Sequence, residues 1–346
     1  MDKNNSMKKI VILGGCGYIG TQLCKLYLHD QFAIRKYNIT VIDNRFLPER
    51  VKQLKRWEIN YIQGDILDEQ LMKEQLKDTD YVYHLAGITD VAYTKTEIND
   101  EKDKKITEVG TKGSEIIINN IPDKCKILFP SSHVLFEGLK ETTFDITEDN
   151  IKPCPELSYS KSKYNTEEYL KKSNKNYIIC RLGSNYGYGL DSMRINILPN
   201  LFSKMASQNK TLKLFSGGKQ WKSLIDVRDV ARSFKFLMEN NDINKQVFNI
   251  SNENMTVKDV AYLCKKIKPS INIIETKDEI PNEGYTISSL KLLDYGFKFN
   301  YSIEESLKEM IECWDFDDIY IEKDEEMRMS NYLPFDNKRK YIITYE

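Results

Sequence analysis

A glycine-rich segment near the start of the chain constrains its fold more than any other feature. Residues 14–20 read GGCGYIG; they follow the apolar run Ile10–Leu13 and precede a helical pattern. Gly14, Gly17 and Gly20 carry no side chain at points where a turn must let the backbone approach a ligand. A strand that leads through such a loop into a helix directs N–H groups and the positive helix end at an anion. The segment predicts a pyrophosphate site for a dinucleotide, although short glycine turns also occur for packing reasons alone.

An acidic residue at the end of the second apolar run strengthens this interpretation. The run Ile39–Ile42 ends at Asp43, where a carboxylate would accept a hydrogen bond from a ribose 2′-hydroxyl. The alternative is that Asp43 is a solvated strand end. A carboxylate at this position would repel a 2′-phosphate, so the sequence favours NAD over NADP. Arg45, two residues later, leaves NADP as an alternative.

Composition argues against several other classes of protein. The 346 residues carry 51 basic and 52 acidic side chains, so no overall field attracts nucleic acid or a membrane surface. No apolar run approaches the roughly 18 residues that span a bilayer, and the N-terminus has no signal-peptide pattern. Seven cysteines without a Cys-x-x-Cys pair fit a reducing compartment, and the three histidines lack the spacing of metal ligands. We expect a soluble, cytoplasmic protein without a metal site.

Short β-branched runs alternate with helical patterns through the first half of the chain. This alternation predicts an α/β fold, a Rossmann doubly wound parallel sheet, with the ligand beyond the carboxyl ends of the strands. We expect an NAD-binding domain over residues 8–183, to which the chain returns around 224–250. Residues 184–314 are expected to form mainly a smaller C-terminal α/β substrate domain, and residues 315–346 a tail of unknown role.

A tyrosine and a lysine are the candidate catalytic pair. Tyr159 and Lys163 are four residues apart on a predicted helix, which places them on one face, one turn apart. An ammonium favours the phenolate and brings a phenol closer to the range of efficient general acid–base catalysis. Ser132 follows the predicted strand Lys126–Phe129, at the strand end where the ligand is expected, and its hydroxyl can hold a substrate oxygen. Tyr-x-x-x-Lys also arises by chance, and a serine at a strand end is often a turn residue.

Together these features resemble the extended short-chain dehydrogenase/reductase family of sugar-nucleotide epimerases and dehydratases, over roughly residues 8–312. The matching segments are GGCGYIG, Gly64-Asp65, His84-Leu85-Ala86-Gly87, Tyr159–Lys163, Asp226–Ala231 and Val247–Ile250. The resemblance implies that Tyr159 is the base, that Lys163 binds the nicotinamide ribose and tunes Tyr159, and that Ser132 assists. His84 is either a strand residue beside the cofactor or a packed polar side chain.

The resemblance also implies a set of binding residues and partners. The expected NAD-binding residues are Gly14, Gly17, Tyr18, Ile19, Gly20, Asp43, Asn44, Asp65, Ile66, Leu85, Ala86, Gly87, Tyr159 and Lys163. The expected substrate residues are His133, Ser184, Asn185 and Lys222. The substrate would be a nucleotide-sugar, and a homodimer would form through the helices near residues 101–119 and 159–172.

Departures from the family pattern bear on the reaction. Dehydratases of the family carry Asp-Glu directly after the hydroxyl residue, whereas this chain has His133 and Val134, which disfavours dehydration. His133 is either a rim residue or itself an acid or base. Ser184 replaces a common asparagine, and Lys222 replaces an arginine, keeping its charge but losing its bidentate fork. The segment Ser132–Gly138 resembles that of keto-sugar reductases of the same family.

These observations favour an NAD-dependent sugar-nucleotide epimerase that exchanges hydride at a sugar carbon. An NAD(P)H-dependent keto-sugar reductase or dehydrogenase is the first alternative, and a dehydratase is the disfavoured one. From a different class, a non-catalytic NAD-sensing protein on the same fold is a further alternative.

Overall fold

A computed structural model of the protein describes residues 7–29, 37–89, 100–189, 194–277 and 283–316. The described helices are α1 (Tyr18–His29), α2 (Pro48–Arg56), α3 (Glu69–Leu76), α4 (Asp100–Thr107), α5 (Gly113–Asn120), α6 (Ser158–Lys172), α7 (Leu198–Ser207), α8 (Val227–Glu239), α9 (Val257–Ile267), α10 (Leu290–Asp294) and α11 (Ile303–Phe316). The described strands are β1 (Lys8–Leu13), β2 (Tyr37–Asp43), β3 (Asn60–Gln63), β4 (Tyr81–His84), β5 (Lys126–Ser132), β6 (Thr143–Ile146), β7 (Asn176–Leu182), β8 (Ser184–Tyr186), β9 (Leu212–Leu214), β10 (Trp221–Asp226), β11 (Gln246–Ile250), β12 (Glu253–Thr256), β13 (Ile273–Glu275) and β14 (Tyr285–Ile287).

A seven-stranded sheet forms the centre of the first half, in the order β11-β7-β5-β4-β1-β2-β3. Strand β1 pairs in parallel with both β2 and β4, and the parallel pairs β2–β3 and β4–β5 extend the sheet on each side. The strand order therefore reverses beside β1, and a crevice forms at the carboxyl ends of β1 and β4. This topology confirms the predicted Rossmann fold.

The central strands are buried because helices cover the sheet. Residues Ile10–Leu13 of β1 are fully buried, as expected for a strand with an apolar run rather than an alternating pattern. On one face, side chains of α3, α5 and α6 pack against β1, β4 and β5; members of this cluster are Val11, Met72, Val82, Ile117, Ile127 and Leu170. The core thus holds the loops after β1, β2, β4 and β5 at one edge.

The chain divides into two compact units. The first unit comprises Met1–Gly138, Glu148–Arg181 and Ala231–Phe248, and the second comprises Leu139–Thr147, Leu182–Val230 and Asn249–Glu346. Residues 139–147, expected within the first domain, belong to the second unit because β6 pairs in parallel with β14. The second unit also contains the sheets β12-β10-β8 and β13-β9. Residues 317–346 of the predicted tail lie outside the described residues.

Two predicted helices differ from the observed ones. Helix α1 begins at Tyr18, inside the segment predicted as loop. The helix predicted over residues 101–119 is divided into α4 and α5 by a π-helical turn, Glu108–Lys112. Gly110 in this turn lies against α6, since a Cβ there would be 2.8 Å from the Ser162 Oγ.

Candidate active site

The glycine loop depends on two close backbone approaches. Gly14 has φ +78°, and a Cβ on it would lie 2.6 Å from the backbone nitrogen of Ala86, just after β4. A Cβ on Gly20 would lie 2.6 Å from the Cα of Gly15. The turn is closed by a hydrogen bond from the Gly17 N–H to the Gly14 carbonyl, 3.1 Å, and α1 begins at the next residue. The positive end of α1, with Tyr18, Ile19 and Gly20 in its first turn, therefore lies at the loop.

Asp43 is buried at the end of β2 and is bonded to the glycine loop. One carboxylate oxygen accepts from the Cys16 N–H at 3.0 Å, and the other accepts from the Arg45 N–H at 3.1 Å. The Arg45 guanidinium lies 3.8 Å from the second oxygen and is 41% exposed. Each carboxylate oxygen has a further lone pair, so the group can still accept a hydrogen bond from a ribose hydroxyl. The residues at this position fit a dinucleotide with an unmodified 2′-hydroxyl.

The predicted contacts after β3 separate into two kinds. Asn44 donates to the Asp65 carboxylate at 3.2 Å, and the other oxygen of Asp65 accepts from the Leu67 N–H at 2.9 Å. These two side chains form a polar pair at the edge of the sheet, and their contact with NAD stays a prediction. The Ile66 side chain instead packs in the core against Gly113 of α5. Ile66 therefore offers its backbone to a cofactor, and its place in the NAD site stays a prediction.

The segment after β4 closes the other side of the crevice. Leu85 continues the sheet, with its N–H bonded to the Leu13 carbonyl at 2.9 Å, and Ala86 lies against Gly14. Gly87 has open space around its Cβ position. His84 is buried, its Nε2 lies 2.8 Å from the Ser114 Oγ, and burial, assisted by the Lys163 charge, lowers its pKa to about 3. His84 is therefore a packed, neutral residue.

Lys163 lies between strand β5 and the phenol of Tyr159. Its ammonium donates to the Pro130 carbonyl at 2.8 Å and lies 4.6 Å from the centroid of the Phe129 ring and 5.7 Å from that of the Tyr159 ring. Burial disfavours the ammonium and lowers the pKa of Lys163 to about 8, while the carboxylate of Glu167, one turn along α6, partly opposes the shift. At neutral pH the group is mainly charged. It therefore supplies a positive charge beside a phenol, as the sequence predicts.

Ser132 is the last residue of β5, and His133 begins a 3₁₀ turn over His133–Phe136. The Ser132 Oγ accepts from the Val134 N–H at 3.3 Å, which leaves the hydroxyl hydrogen to donate to another oxygen. Both side chains are more than nine-tenths buried. His133 thus lies inside the protein rather than on an open rim.

The other predicted substrate residues belong to the second unit. Ser184 and Asn185 lie in β8, which pairs in parallel with β10, and Lys222 lies in β10 opposite Met255 of β12. The Asn185 side-chain oxygen is buried without a hydrogen-bond partner among the described residues. Burial lowers the pKa of Lys222, for which the described residues offer no ion-pair partner. A polar ligand would supply the missing partners, an anion for the Lys222 ammonium and a hydrogen-bond donor for the Asn185 oxygen.

Sequence reasoning missed Glu137. One oxygen of its carboxylate accepts from the Glu156 and Leu157 N–H groups at 2.9 and 2.7 Å and from the Ser160 hydroxyl. These groups form the start of α6, whose own N-cap residue, Leu157, supplies no side-chain hydrogen bond. The apolar N-cap position was the available signal, because a helix without its own cap leaves N–H groups that a distant side chain can bind.

Within the described ranges, no three His, Cys, Asp or Glu side chains are grouped to hold a metal ion. No helix in the same ranges has both the length and the apolar character needed to cross a bilayer. All seven cysteines fall within them and are free thiols. Burial and the charge of Asp43 raise the pKa of the Cys16 thiol, inside the glycine loop, to about 12, so it is unreactive.

The fold and this arrangement define a Rossmann-type dinucleotide-binding protein with a Tyr–Lys pair at the carboxyl edge of its sheet. Residues 10–251 match the NAD dependent epimerase/dehydratase family, and the chain belongs to that family of enzymes. Family membership confirms the predicted resemblance and NAD as the cofactor.

Individual relatives catalyse different reactions. The chain is 24% identical to a UDP-N-acetyl-alpha-D-glucosaminuronate decarboxylase from Bacillus cytotoxicus, covering 88% of this chain and 97% of the relative. It is 26% identical to a dTDP-D-glucose 4,6-dehydratase from Dictyostelium discoideum, covering 71% of this chain and 59% of the relative. The structure of UDP-glucuronic acid 4-epimerase from Bacillus cereus, in complex with UDP-glucuronic acid and NAD, superposes with a TM-score of 0.74 at 21% identity, covering 89% of this chain and 99% of that chain. That structural similarity shows the fold.

Proposed function

We propose that this enzyme is a sugar-nucleotide epimerase that oxidises and then reduces one carbon of the sugar with a retained NAD. The position of Lys163 carries the proposal, because its ammonium lies beside the Tyr159 ring and is bound to the strand that ends at Ser132. A sensor without catalytic activity has no use for a buried cation next to a phenol. The glycine loop would hold the pyrophosphate, and Asp43 the adenine ribose.

The roles of the catalytic residues follow from their chemistry. NAD supplies, when bound, an acceptor for hydride and later the donor that returns it. Tyr159 would take the proton from a sugar hydroxyl at its phenolic oxygen and give it back when the ketone is reduced on its other face. Lys163 would favour the phenolate through its charge and place its remaining N–H donors toward a ribose. Ser132 would donate its hydroxyl hydrogen to the reacting sugar oxygen.

The substrate proposal rests on the second unit. Lys222 has a charge that would pair with a diphosphate, and the orphaned oxygen of Asn185 would accept a hydrogen bond from the nucleotide or the sugar. Lysine binds phosphate as a point charge rather than by the bidentate fork of arginine. Several relatives and solved neighbours are named for UDP- or dTDP-sugars, which makes these nucleotides the first to test.

Decarboxylation is a second candidate. It is favoured by the similarity to a decarboxylase, because this chain covers 97% of the length of that relative. Oxidation of the hydroxyl on the carbon β to a sugar carboxylate gives a β-keto acid. Such an acid loses carbon dioxide without an additional base. The enolate left behind would take up a proton at the carbon that carried the carboxylate, and the ketone would then regain the hydride removed in the first step. The same Tyr159–Lys163 pair would therefore serve both reactions. A dehydration would need a proton donor and acceptor at residues 133 and 134, and Val134 can act as neither.

The decisive experiment identifies the bound nucleotide and the product. Purified protein is denatured, and the released nucleotide is identified by mass spectrometry; we expect NAD. The native protein is then incubated with UDP-glucose, UDP-N-acetylglucosamine, UDP-glucuronic acid and dTDP-glucose, and products are identified by NMR. A 4-epimer without net NADH supports the epimerase, and carbon dioxide from the uronic acid supports the decarboxylase. Empty protein that consumes NADH or NADPH with a keto-sugar would replace both with a reductase.

The quaternary structure and location are also proposals. We propose a homodimer formed through α4, α5 and α6, which the family resemblance implies, and a cytoplasmic location, which the free cysteines favour. Light scattering on the NAD-loaded protein tests the dimer: a single-chain mass at micromolar concentration would exclude it.

A further inference from the structure

The helix that carries Tyr159 lacks an N-terminal cap of its own. Its N-cap residue, Leu157, has no side chain that can accept a hydrogen bond, and the first turn of α6 contains no acidic residue. The first four N–H groups of a helix have no intrahelical acceptor, and a carboxylate near them is favourable. Water or another part of the chain can supply the acceptor at such a helix end.

Glu137 supplies that acceptor from the end of the segment that begins at Ser132. We call residues 132–137 the strand-end turn. Ser132 caps the start of this turn, with its Oγ accepting from the Val134 N–H, and the Glu137 N–H closes the turn on the Val134 carbonyl at 3.1 Å. From the end of the turn, one Glu137 oxygen accepts from the Leu157 N–H and from the Ser160 hydroxyl. The residue after it, Gly138, donates to the Cys154 carbonyl at 3.2 Å.

Helix α6 is thus attached to the strand β5 segment on both sides of Tyr159. Before and just after Tyr159, Leu157 and Ser160 are bound to Glu137. One turn later, Lys163 is bound to the Pro130 carbonyl. Both attachments join α6 to the carboxyl-terminal end of β5 and the strand-end turn, on either side of Tyr159.

We propose that Glu137 is a positioning residue that sets the placement of the Tyr159 phenol relative to Ser132. This inference rests on the proposed function, since it assigns the strand-end turn to the same reaction. Proton transfer requires the reacting atoms to be within hydrogen-bond reach, and a displacement of about 1 Å can lower a rate about 10²-fold. Loss of Glu137 therefore acts on the catalytic step more than on binding.

The test compares Glu137→Ala with the conservative Glu137→Gln in the NAD-loaded, full-length protein. We expect Glu137→Ala to lower kcat by about 10- to 100-fold while KM and NAD content change less than about threefold. Glu137→Gln keeps the acceptor oxygen and is expected to restore most of kcat. The matched control is Asp259→Ala, which removes the capping-box carboxylate of α9. The control is expected to lower the melting temperature similarly but leave kcat unchanged.

A second measurement separates this inference from the proposed function. Hydrogen exchange is followed by mass spectrometry in a peptide that covers residues 154–163. Glu137→Ala should accelerate exchange there and leave a peptide covering α9 unchanged, whether or not a substrate is known. Unchanged exchange at residues 154–163, or an unchanged kcat in Glu137→Ala of an active enzyme, overturns the inference. If wild-type protein turns over no sugar nucleotide, the proposed function fails, and the exchange result alone decides whether Glu137 holds the helix.

Discussion

Lys163 donates a hydrogen bond from its ammonium to the backbone carbonyl of Pro130, at an Nζ···O distance of 2.8 Å. This contact joins α6 to β5 two residues before Ser132. It also holds a positive charge among the rings of Phe129 and Tyr159. Removing this ammonium from water is costly, and this cost lowers the pKa of Lys163. The structure keeps a destabilised charge where the proposed reaction requires one.

Tyr159→Phe tests whether the phenol is the acid–base group. Because the variant removes only the reacting oxygen, we expect kcat to fall by about 10²- to 10⁴-fold while NAD remains bound. Tyr169→Phe is the matched control, since Tyr169 lies on the same helix and its hydroxyl bonds to the Asn119 side chain at 2.8 Å. Turnover and NAD content are measured for both proteins. Full activity in Tyr159→Phe would exclude the proposed mechanism and favour a sensor.

The pH dependence of catalysis should report the ionisation of Lys163. Its pKa is lowered to about 8, so the cation that favours the phenolate is present below that pH and lost above it. We expect kcat/KM to fall as the pH rises through about 8. In Lys163→Arg the guanidinium stays protonated, so the remaining activity should lose this alkaline limb. A wild-type profile that is flat from pH 7 to 10 would contradict the assignment.

The same shift affects folding stability. The pKa of Lys163 is lower in the folded state than in the unfolded state, so the unfolded chain binds more protons between pH 8 and 10.5. The penalty of the buried ammonium is complete below pH 8 and decreases as the pH rises through that window. Urea unfolding of wild type and Lys163→Met should therefore show a smaller gain in stability with pH for the variant. Parallel curves would indicate an ordinary pKa for the lysine.

Asp43→Asn tests the choice between NAD and NADP. Replacing the carboxylate weakens its hydrogen bonds and removes the charge that would repel a 2′-phosphate. Hydrogen bonds to charged groups contribute about 1.5–3 kcal/mol, so we expect NAD affinity to fall about 10- to 100-fold and the preference over NADP to narrow. Asp68→Ala removes a carboxylate that caps α3 and should leave the preference unchanged. Calorimetric titration of both cofactors on nucleotide-free protein gives the comparison.

Gly14→Ala tests the close approach of β1 to the segment after β4. The added Cβ would lie 2.6 Å from the Ala86 nitrogen, and the φ of +78° is unfavourable for alanine. We expect the backbone to shift, the stability to fall by more than about 1 kcal/mol, and NAD to be lost. In Gly87→Ala the new methyl group meets no atom within 4 Å, so this variant should fold like wild type. Equal melting temperatures for the two variants would contradict the geometry.

Arg181→Met tests the buried ion pair behind α6. Arg181 and Glu167 are almost fully buried and form two hydrogen bonds, at 3.0 and 2.8 Å. The variant leaves the buried Glu167 carboxylate with the partly exposed Lys171 ammonium, 3.4 Å away, as its remaining ion-pair partner among the described residues. We expect a loss of up to about 3–5 kcal/mol in the free energy of unfolding. Adding Glu167→Leu should recover much of it, whereas Lys52→Met, which breaks an exposed pair with Glu49, should cost less than about 1 kcal/mol. Chemical denaturation measures all three.

Local spacing explains which parts of the site could be predicted. The glycine loop, the acid after β2 and the Tyr159–Lys163 pair each depend on neighbouring residues in a strand–loop–helix unit or on a single helical turn. The secondary structure of these segments follows from the spacing of their apolar residues and the positions of their glycines. The sequence therefore predicted the Rossmann fold and the Tyr159–Lys163 pair without knowledge of how the elements pack. The contact between Asn44 and Asp65, in contrast, appears only in the tertiary structure, because it joins the ends of two different strands.

The tertiary structure decided the properties that depend on distant partners. Three hydrogen bonds of the site join segments that are separated along the chain: Asp43 to Cys16, Lys163 to Pro130, and Glu137 to the start of α6. The burial of the Ile66 and His133 side chains likewise depends on the elements that pack over them. The residues 139–147 likewise belong to the second unit because β6 pairs with β14. Sequence period determines which face of an element is apolar. Which polar group meets which buried donor is determined only when the elements pack, since solvent exposure and hydrogen-bond partners are properties of the assembled core.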